Sequence, residues 1–236
     1  MSTKDGRPVA LVTGGGSGVG ASCAQHLAKA GHRIALVGRT RARLEETDRL
    51  IGTDSQRIIA DLSRPEECRS VVREVLEVQG RVDVLVNNAG FATQAGISET
   101  SEELMRTALD TNLLGPMCLI SELWDHFTER GTGCVVNISS LASSDPFPGF
   151  LAYAASKSGL DSLGRSIIAE RPVPGIRAFT INLAAVETDM LRSMFDHAVV
   201  PPEACLQPVE VADFVMECIR GMHDERQGES IVLMRS

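Results

Sequence analysis

The sequence has no basic charge to spare. Its 236 residues carry 23 Lys and Arg against 31 Asp and Glu, a formal net charge of −8. That excludes the electrostatic footprint of a nucleic-acid binder; an acidic balance mostly serves solubility. Paired metal or disulfide chemistry is missing too. The six cysteines (Cys23, Cys68, Cys118, Cys134, Cys205, Cys218) are scattered with no C-x-x-C, which argues against a disulfide frame or zinc site and suits a reducing compartment. None of the five histidines has another at i,i+4, so no metal is expected. No apolar run reaches membrane length, and Met1 to Pro8 holds no apolar leader core; a cytoplasmic protein without membrane contact is expected. No linker, repeat or low-complexity stretch divides the chain, so one domain over residues 1–236 is expected. Aromatics make up 4%, with a single tyrosine, Tyr153.

What is present is a regular alternation of strand and helix patterns, with 43% hydrophobic residues to build a core. Pro8 to Thr13 is an apolar run that reads as a buried strand, followed at once by Gly14-Gly-Gly-Ser-Gly-Val-Gly20 and a helical stretch that stops at Gly31. Strand, glycine turn, helix is the context of a phosphate site. Missing Cβ atoms let the backbone approach a pyrophosphate, and the helix start offers free N–H groups and partial positive charge. Gly14, Gly16, Ser17, Gly18 and Val19 are therefore candidate cofactor residues. The second strand, Arg33 to Val37, leads into Gly38-Arg39-Thr40-Arg41. A dinucleotide fold that takes NAD usually has a carboxylate near here for the ribose 2′-hydroxyl. Arg39 instead favours a 2′-phosphate, hence NADP(H) with NAD(H) possible. The plainer alternative makes Arg39 and Arg41 solvated residues opening the next helix.

Arg57 to Ala60 reads as a third strand, ending in Asp61-Leu62, where an adenine edge would lie; Asp61 alternatively only helps the loop turn. Ser63-x-x-Glu66 fits a capping box. Val82 to Val86 is a fourth strand, and Asn88, Ala89 and Gly90 after it let a cofactor pass close. A second capping box, Thr100-x-x-Glu103, opens one long helix ending near Gly131. Asn112 falls inside that helix, where a buried amide needs a partner, such as a water. Cys134 to Ile138 forms a fifth strand that Ser139 and Ser140 end. Ile176 to Ile181 is a sixth strand, and Asn182 to Asp189 a loop. Residues 189–205 read as a substrate lid, 208–222 as the last helix and 230–234 as a seventh strand. The expectation is an α/β fold, a seven-stranded doubly wound parallel sheet whose strand carboxyl ends converge on one crevice.

Leu151 to Leu163 reads as a helix that follows this crevice. It places Tyr153 and Lys157 four apart, on one face. An ammonium beside a phenol favours the phenolate and lowers its pKa. Working at neutrality needs about 3 units from the usual value near 10, roughly 4 kcal/mol, so a dry site and a second positive charge are required. In isolation such a pair is also an ordinary helix-surface contact.

Together these residues resemble the short-chain dehydrogenase/reductase family over nearly the whole chain. The matching motifs are Thr13-Gly14-x3-Gly18-x-Gly20, Asn87-Asn88-Ala89-Gly90, Asn112, Ser140 and Tyr153-x3-Lys157. The resemblance implies a single-domain Rossmann fold and hydride transfer between NADP(H) and a carbonyl or secondary alcohol. It implies that Tyr153 is the acid/base, that Lys157 depresses its pKa and bonds the nicotinamide ribose, that Ser140 holds the substrate oxygen, and that Asn112 holds a water linking Lys157 to solvent. Val186 and Thr188 would meet the nicotinamide carboxamide. Ser140, Tyr153 and Phe147 would touch the substrate, among apolar walls that include Leu141, Phe150, Met190 and Phe195. A homodimer or homotetramer is implied as well. One departure stands out: Leu183-Ala184 replaces the family's Pro-Gly, which would shift the loop if that backbone needs glycine's freedom. A catalytically silent nucleotide-binding regulator is the alternative that this departure supports.

Overall fold

The computed structural model describes residues 6–52 and 55–235; residues 1–5, read above for a leader, lie outside them. In chain order the elements are β1 (Val9–Thr13), α1 (Gly18–Lys29), β2 (Arg33–Gly38), α2 (Arg41–Ile51), β3 (Gln56–Ile59), α3 (Pro65–Gln79) and β4 (Val84–Asn87). Then come α4 (Glu102–Leu109), α5 (Gly115–Arg130), β5 (Gly133–Ser140), α6 (Leu151–Glu170), β6 (Ile176–Leu183), α7 (Asp189–Arg192), α8 (Pro208–Ile219) and β7 (Ser230–Leu233). The strands form one sheet in the order β3-β2-β1-β4-β5-β6-β7, with every pairing parallel.

Helices on both faces explain why the strands are apolar throughout rather than alternating. Val12, Leu36, Val86 and Val136 point to one side, where Leu27 of α1 and Val211 and Val215 of α8 cover them. Leu11, Val37, Leu85 and Val135 point to the other, against Val71 and Val75 of α3 and Leu119, Leu123 and Phe127 of α5. The order reverses between β1 and β4, so their outgoing turns stand side by side and leave a crevice for a ligand.

Several local expectations are corrected. α3 starts at Pro65, not at a Ser63 cap. The Ser63 hydroxyl donates to Asp61 instead, 2.8 Å away, while proline at the first helical position loses no needed hydrogen bond. The next helix is capped by Ser101, whose hydroxyl accepts from Leu104 N, rather than by Thr100. The expected long helix is α4 and α5 joined by a π turn over Asp110–Leu114. β6 runs on through Asn182 and Leu183, residues the pattern assigns to a loop. The Ser139 and Ser140 that were to end β5 belong to it.

Candidate active site

The glycine turn is held from the neighbouring strand. Thr13 at the end of β1 donates its hydroxyl to Val86 O (3.1 Å) and accepts from Asn88 N (2.9 Å) and Ala89 N (3.0 Å). Asn88 returns its amide to Thr13 O and Gly14 O. Gly14 has φ +63°, and a Cβ there would lie 2.7 Å from the Asn88 amide nitrogen, so the left-handed turn and the close approach both demand glycine. α1 then opens with Ser17 making no side-chain cap and with no acidic residue in the first turn. Its unpartnered N–H groups and the bare backbone of the turn fit a pyrophosphate. Gly18 closes the other wall: a Cβ on it would sit 3.1 Å from Thr188 Cγ2.

At the end of β2, Arg39 is exposed. Asp61 follows β3, and its carboxylate accepts from Ser63 N and Oγ. Burial raises its pKa, but those hydrogen bonds and the charges of Arg39 and Arg64 hold it below the ordinary value. Asp61 thus does help its loop turn, and it also lies within the field of Arg39. Leu62 turns its side chain into the core.

Around the helix that carries Tyr153, the expected groups come together. Ser140, whose Oγ accepts from Ala142 N, is near enough to the Tyr153 phenol to pull its pKa down against burial. Lys157 is buried, its Nζ 5.8 Å from the Tyr153 ring centre and 2.7 Å from Ile138 O, to which it donates. Asn112, fully buried in the π turn, finds protein partners rather than depending on water. Its Oδ1 accepts from Phe91 N (2.7 Å), and its Nδ2 donates to Phe91 O and Ser156 Oγ (2.9 Å each). Gly90 lies between the two groups: a Cβ there would be 3.5 Å from Asn112 Oδ1 and 3.9 Å from Lys157 Nζ.

The electrostatics differ from the expectation in one respect. Burial pushes the Tyr153 phenol up, and only the Ser140 hydrogen bond opposes it. The same burial brings Lys157 itself down to about 8, with Asp161 pulling the other way.

On the substrate side, Phe150 is buried, stands edge-on to Tyr153 at 6.0 Å and stacks on Phe195 from the lid at 6.0 Å. Phe147 is half exposed and meets Phe150 edge-on. One guanidinium ties together the segment that follows β6. Arg192 grips Glu187 and donates to Val200 O at 2.7 Å. The backbone at Leu183-Ala184 is ordinary. Among the described residues only glycines have positive φ, and Ala184 N donates to Leu233 O. The sequence reading gave no role to Thr13, Phe91, Ser156 or Asp161. The position of Asp161, four after Lys157, was a legible signal.

A doubly wound parallel sheet, a glycine turn at its switch point and a Ser-Tyr-Lys group on the same edge define a dinucleotide-dependent oxidoreductase. The chain belongs to the short-chain dehydrogenase family, whose model matches residues 8–198. It is 30% identical over 231 residues to the putative ketoacyl reductase 2 of the granaticin polyketide synthase from Streptomyces violaceoruber, covering 93% of this chain and 92% of that one. Among solved structures, a variant of actinorhodin polyketide ketoreductase with NADPH superposes with a TM-score of 0.90 at 30% identity, over 99% of this chain and 98% of that one. A 3-ketoacyl-(acyl-carrier-protein) reductase from Brucella melitensis complexed with NADH also gives 0.90, at 26% identity and 98% of each chain.

Proposed function

We propose that this chain reduces a carbonyl group to a secondary alcohol, with NADP(H) preferred over NAD(H), in the cytoplasm and as a homodimer or homotetramer. The observation that carries this is the pair on α6, with Lys157 Nζ 5.8 Å from the centre of the Tyr153 ring and close to Gly90 beyond the end of β4. When bound, the nicotinamide dinucleotide supplies the hydride. The chain's own residues do the rest. Ser140 holds the substrate oxygen against Tyr153, and Tyr153 gives that oxygen a proton. Burial raises the pKa of the phenol, favouring the protonated form that an acid needs. Lys157 bonds the nicotinamide ribose, and Asn112, both of whose amide hydrogens go to Phe91 and Ser156, offers its remaining Oδ1 lone pair to the water through which the proton is replaced.

Gly14, Gly16, Ser17, Gly18 and Val19 hold the pyrophosphate, and Arg39 the 2′-phosphate. Asp61, Leu62, Asn88, Ala89 and Gly90 flank the adenosine, and Val186 and Thr188 the carboxamide. The exposed Arg39 without a carboxylate at the end of β2 supports NADP(H). The polyketide and acyl-carrier relatives, with the aromatic wall of Phe147, Phe150 and Phe195, support a ketone bearing an apolar or acyl chain. A silent nucleotide-binding regulator is the alternative that the Leu183-Ala184 replacement supports. The test is NADPH oxidation against aromatic ketones and β-ketoacyl thioesters. Tight NADPH binding with no turnover on any of them would overturn the proposal.

A further inference from the structure

Asp161 lies one turn beyond Lys157 on α6 and has no part in the chemistry above. It is 7% exposed, and its carboxylate is fully engaged. Oδ1 accepts from Ser139 Oγ (2.5 Å); Oδ2 accepts from Ser143 Oγ (2.8 Å), Asn182 Nδ2 (2.8 Å) and Ser230 Oγ (2.9 Å). These donors come from β5, the turn after it, β6 and β7. Four donors suit an ionised carboxylate, which only accepts. All four are neutral, however, so the cage solvates the charge without balancing it.

We propose that Asp161 is a positioning residue for this site, its caged carboxylate being the counter-charge that keeps Lys157 an ammonium. Spacing of four on one helix puts the two on the same face. The role of Lys157 toward cofactor and phenol rests on the function proposed above. Burial alone drives Lys157 toward the neutral amine, and Asp161 is the charge that opposes it. The elements packed on α6 offer no substitute. β5 presents no charged side chain, and the turn after it carries only Asp145, exposed to solvent. β6 carries Arg177, paired with Asp224. The π turn carries Asp110, and α4 carries Glu102, Glu103 and Arg106 on its exposed side. On α6 itself Arg165, four beyond Asp161, is exposed, and Tyr153 is the titratable neighbour on the Lys157 side.

The chain has three lysines, Lys4, Lys29 and Lys157, so lysine labelled with 13C at Cε gives three resonances, and Lys157→Met identifies the one of interest. In cofactor-free protein the Lys157 midpoint is expected near 8. In Asp161→Asn it is expected to fall by about one unit, with Lys29 unmoved and the alkaline limb of the kcat/KM profile following it downward. Asparagine keeps the size and most of the hydrogen bonding, so lost packing alone predicts no such movement. If Asp161→Asn does not fold, Asp161→Val with Ser230→Ala replaces it. There Ser139 retains Lys157 O, and Asn182 retains Ser143. An unmoved midpoint in the folded variant overturns the proposal. The titration needs no turnover. A shifted midpoint in a chain that reduces no carbonyl would therefore sink the proposed function and leave the counter-charge standing, whereas turnover with an unmoved midpoint does the reverse.

Discussion

Lys157 Nζ lies 5.8 Å from the centre of the Tyr153 ring, yet its hydrogen bond goes to the backbone carbonyl of Ile138. Helix spacing makes the two side chains neighbours. Burial then acts on both against ionisation, raising the phenol and lowering the ammonium.

Tyr153→Phe removes one hydroxyl from the only tyrosine of the chain. Carbonyl reduction is expected to drop roughly 10²–10⁴-fold, the usual contribution of a general acid. NADPH affinity, measured by fluorescence, should stay essentially unchanged. Equal turnover in variant and wild type removes Tyr153 from the mechanism.

Lys157 has a folded-state pKa of about 8 against an ordinary 10.5. Because the folded value is depressed, the unfolded chain binds more protons between those limits, and the lysine's burden on stability is relieved as pH rises through them. The gap corresponds to about 3 kcal/mol. Buried thiols such as Cys23, pushed up to about 12, act in the opposite sense at high pH, so the measurement is a difference. Lys157→Met should be more stable than wild type in urea below pH 8 and lose that advantage by pH 10.5. A difference independent of pH contradicts the shift.

Arg39→Asp should weaken NADPH binding on the order of tenfold or more, since it removes a charge-assisted contact to the 2′-phosphate and adds repulsion. NADH binding should hold or improve. Titration of both cofactors decides it, and equal losses refute the NADP(H) preference.

Thr13→Val should behave differently. The Thr13 hydroxyl is 1% exposed and serves Val86 O, Asn88 N and Ala89 N. Its loss leaves two half-buried N–H groups without their partner, a cost of about 1–2 kcal/mol, and frees both turns of the crevice. Denaturant melts should show the destabilisation, with NADPH and NADH weakened alike; undiminished stability would mean the hydroxyl is not the anchor.

Arg192→Ala should loosen residues 187–205 by removing the grip on Glu187 and Val200 O. Faster proteolytic cleavage in that stretch and a raised KM with kcat nearly kept are expected. A cleavage pattern like that of wild type would show that the lid holds without it.

Much of this was legible in the residues. The glycine turn was readable because its strand and helix flank it directly, and Tyr153 with Lys157 because a spacing of four fixes one face of a helix; Ser140 was picked out over Ser139 only by the family resemblance. Less was readable where a short polar side chain chose among partners. Ser63 bonds Asp61 instead of capping α3, and Ser101 rather than Thr100 caps α4, since either hydroxyl satisfies the same local rule. The π turn around Asn112 left no mark in the apolar period, because Phe91 and Ser156, which receive its amide, lie 21 and 44 residues away.

The sequence by itself determined the alternation of strand and helix, the positions of the glycine turn and the shared face of Tyr153 and Lys157. These follow from side-chain period and backbone sterics, which act within a few residues. Only the tertiary structure decided the cage around Asp161, the stacking of Phe195 on Phe150 and the direction in which Tyr153 and Lys157 shift. Each depends on which strands become neighbours and on how much water is left around a charge, and local spacing carries neither.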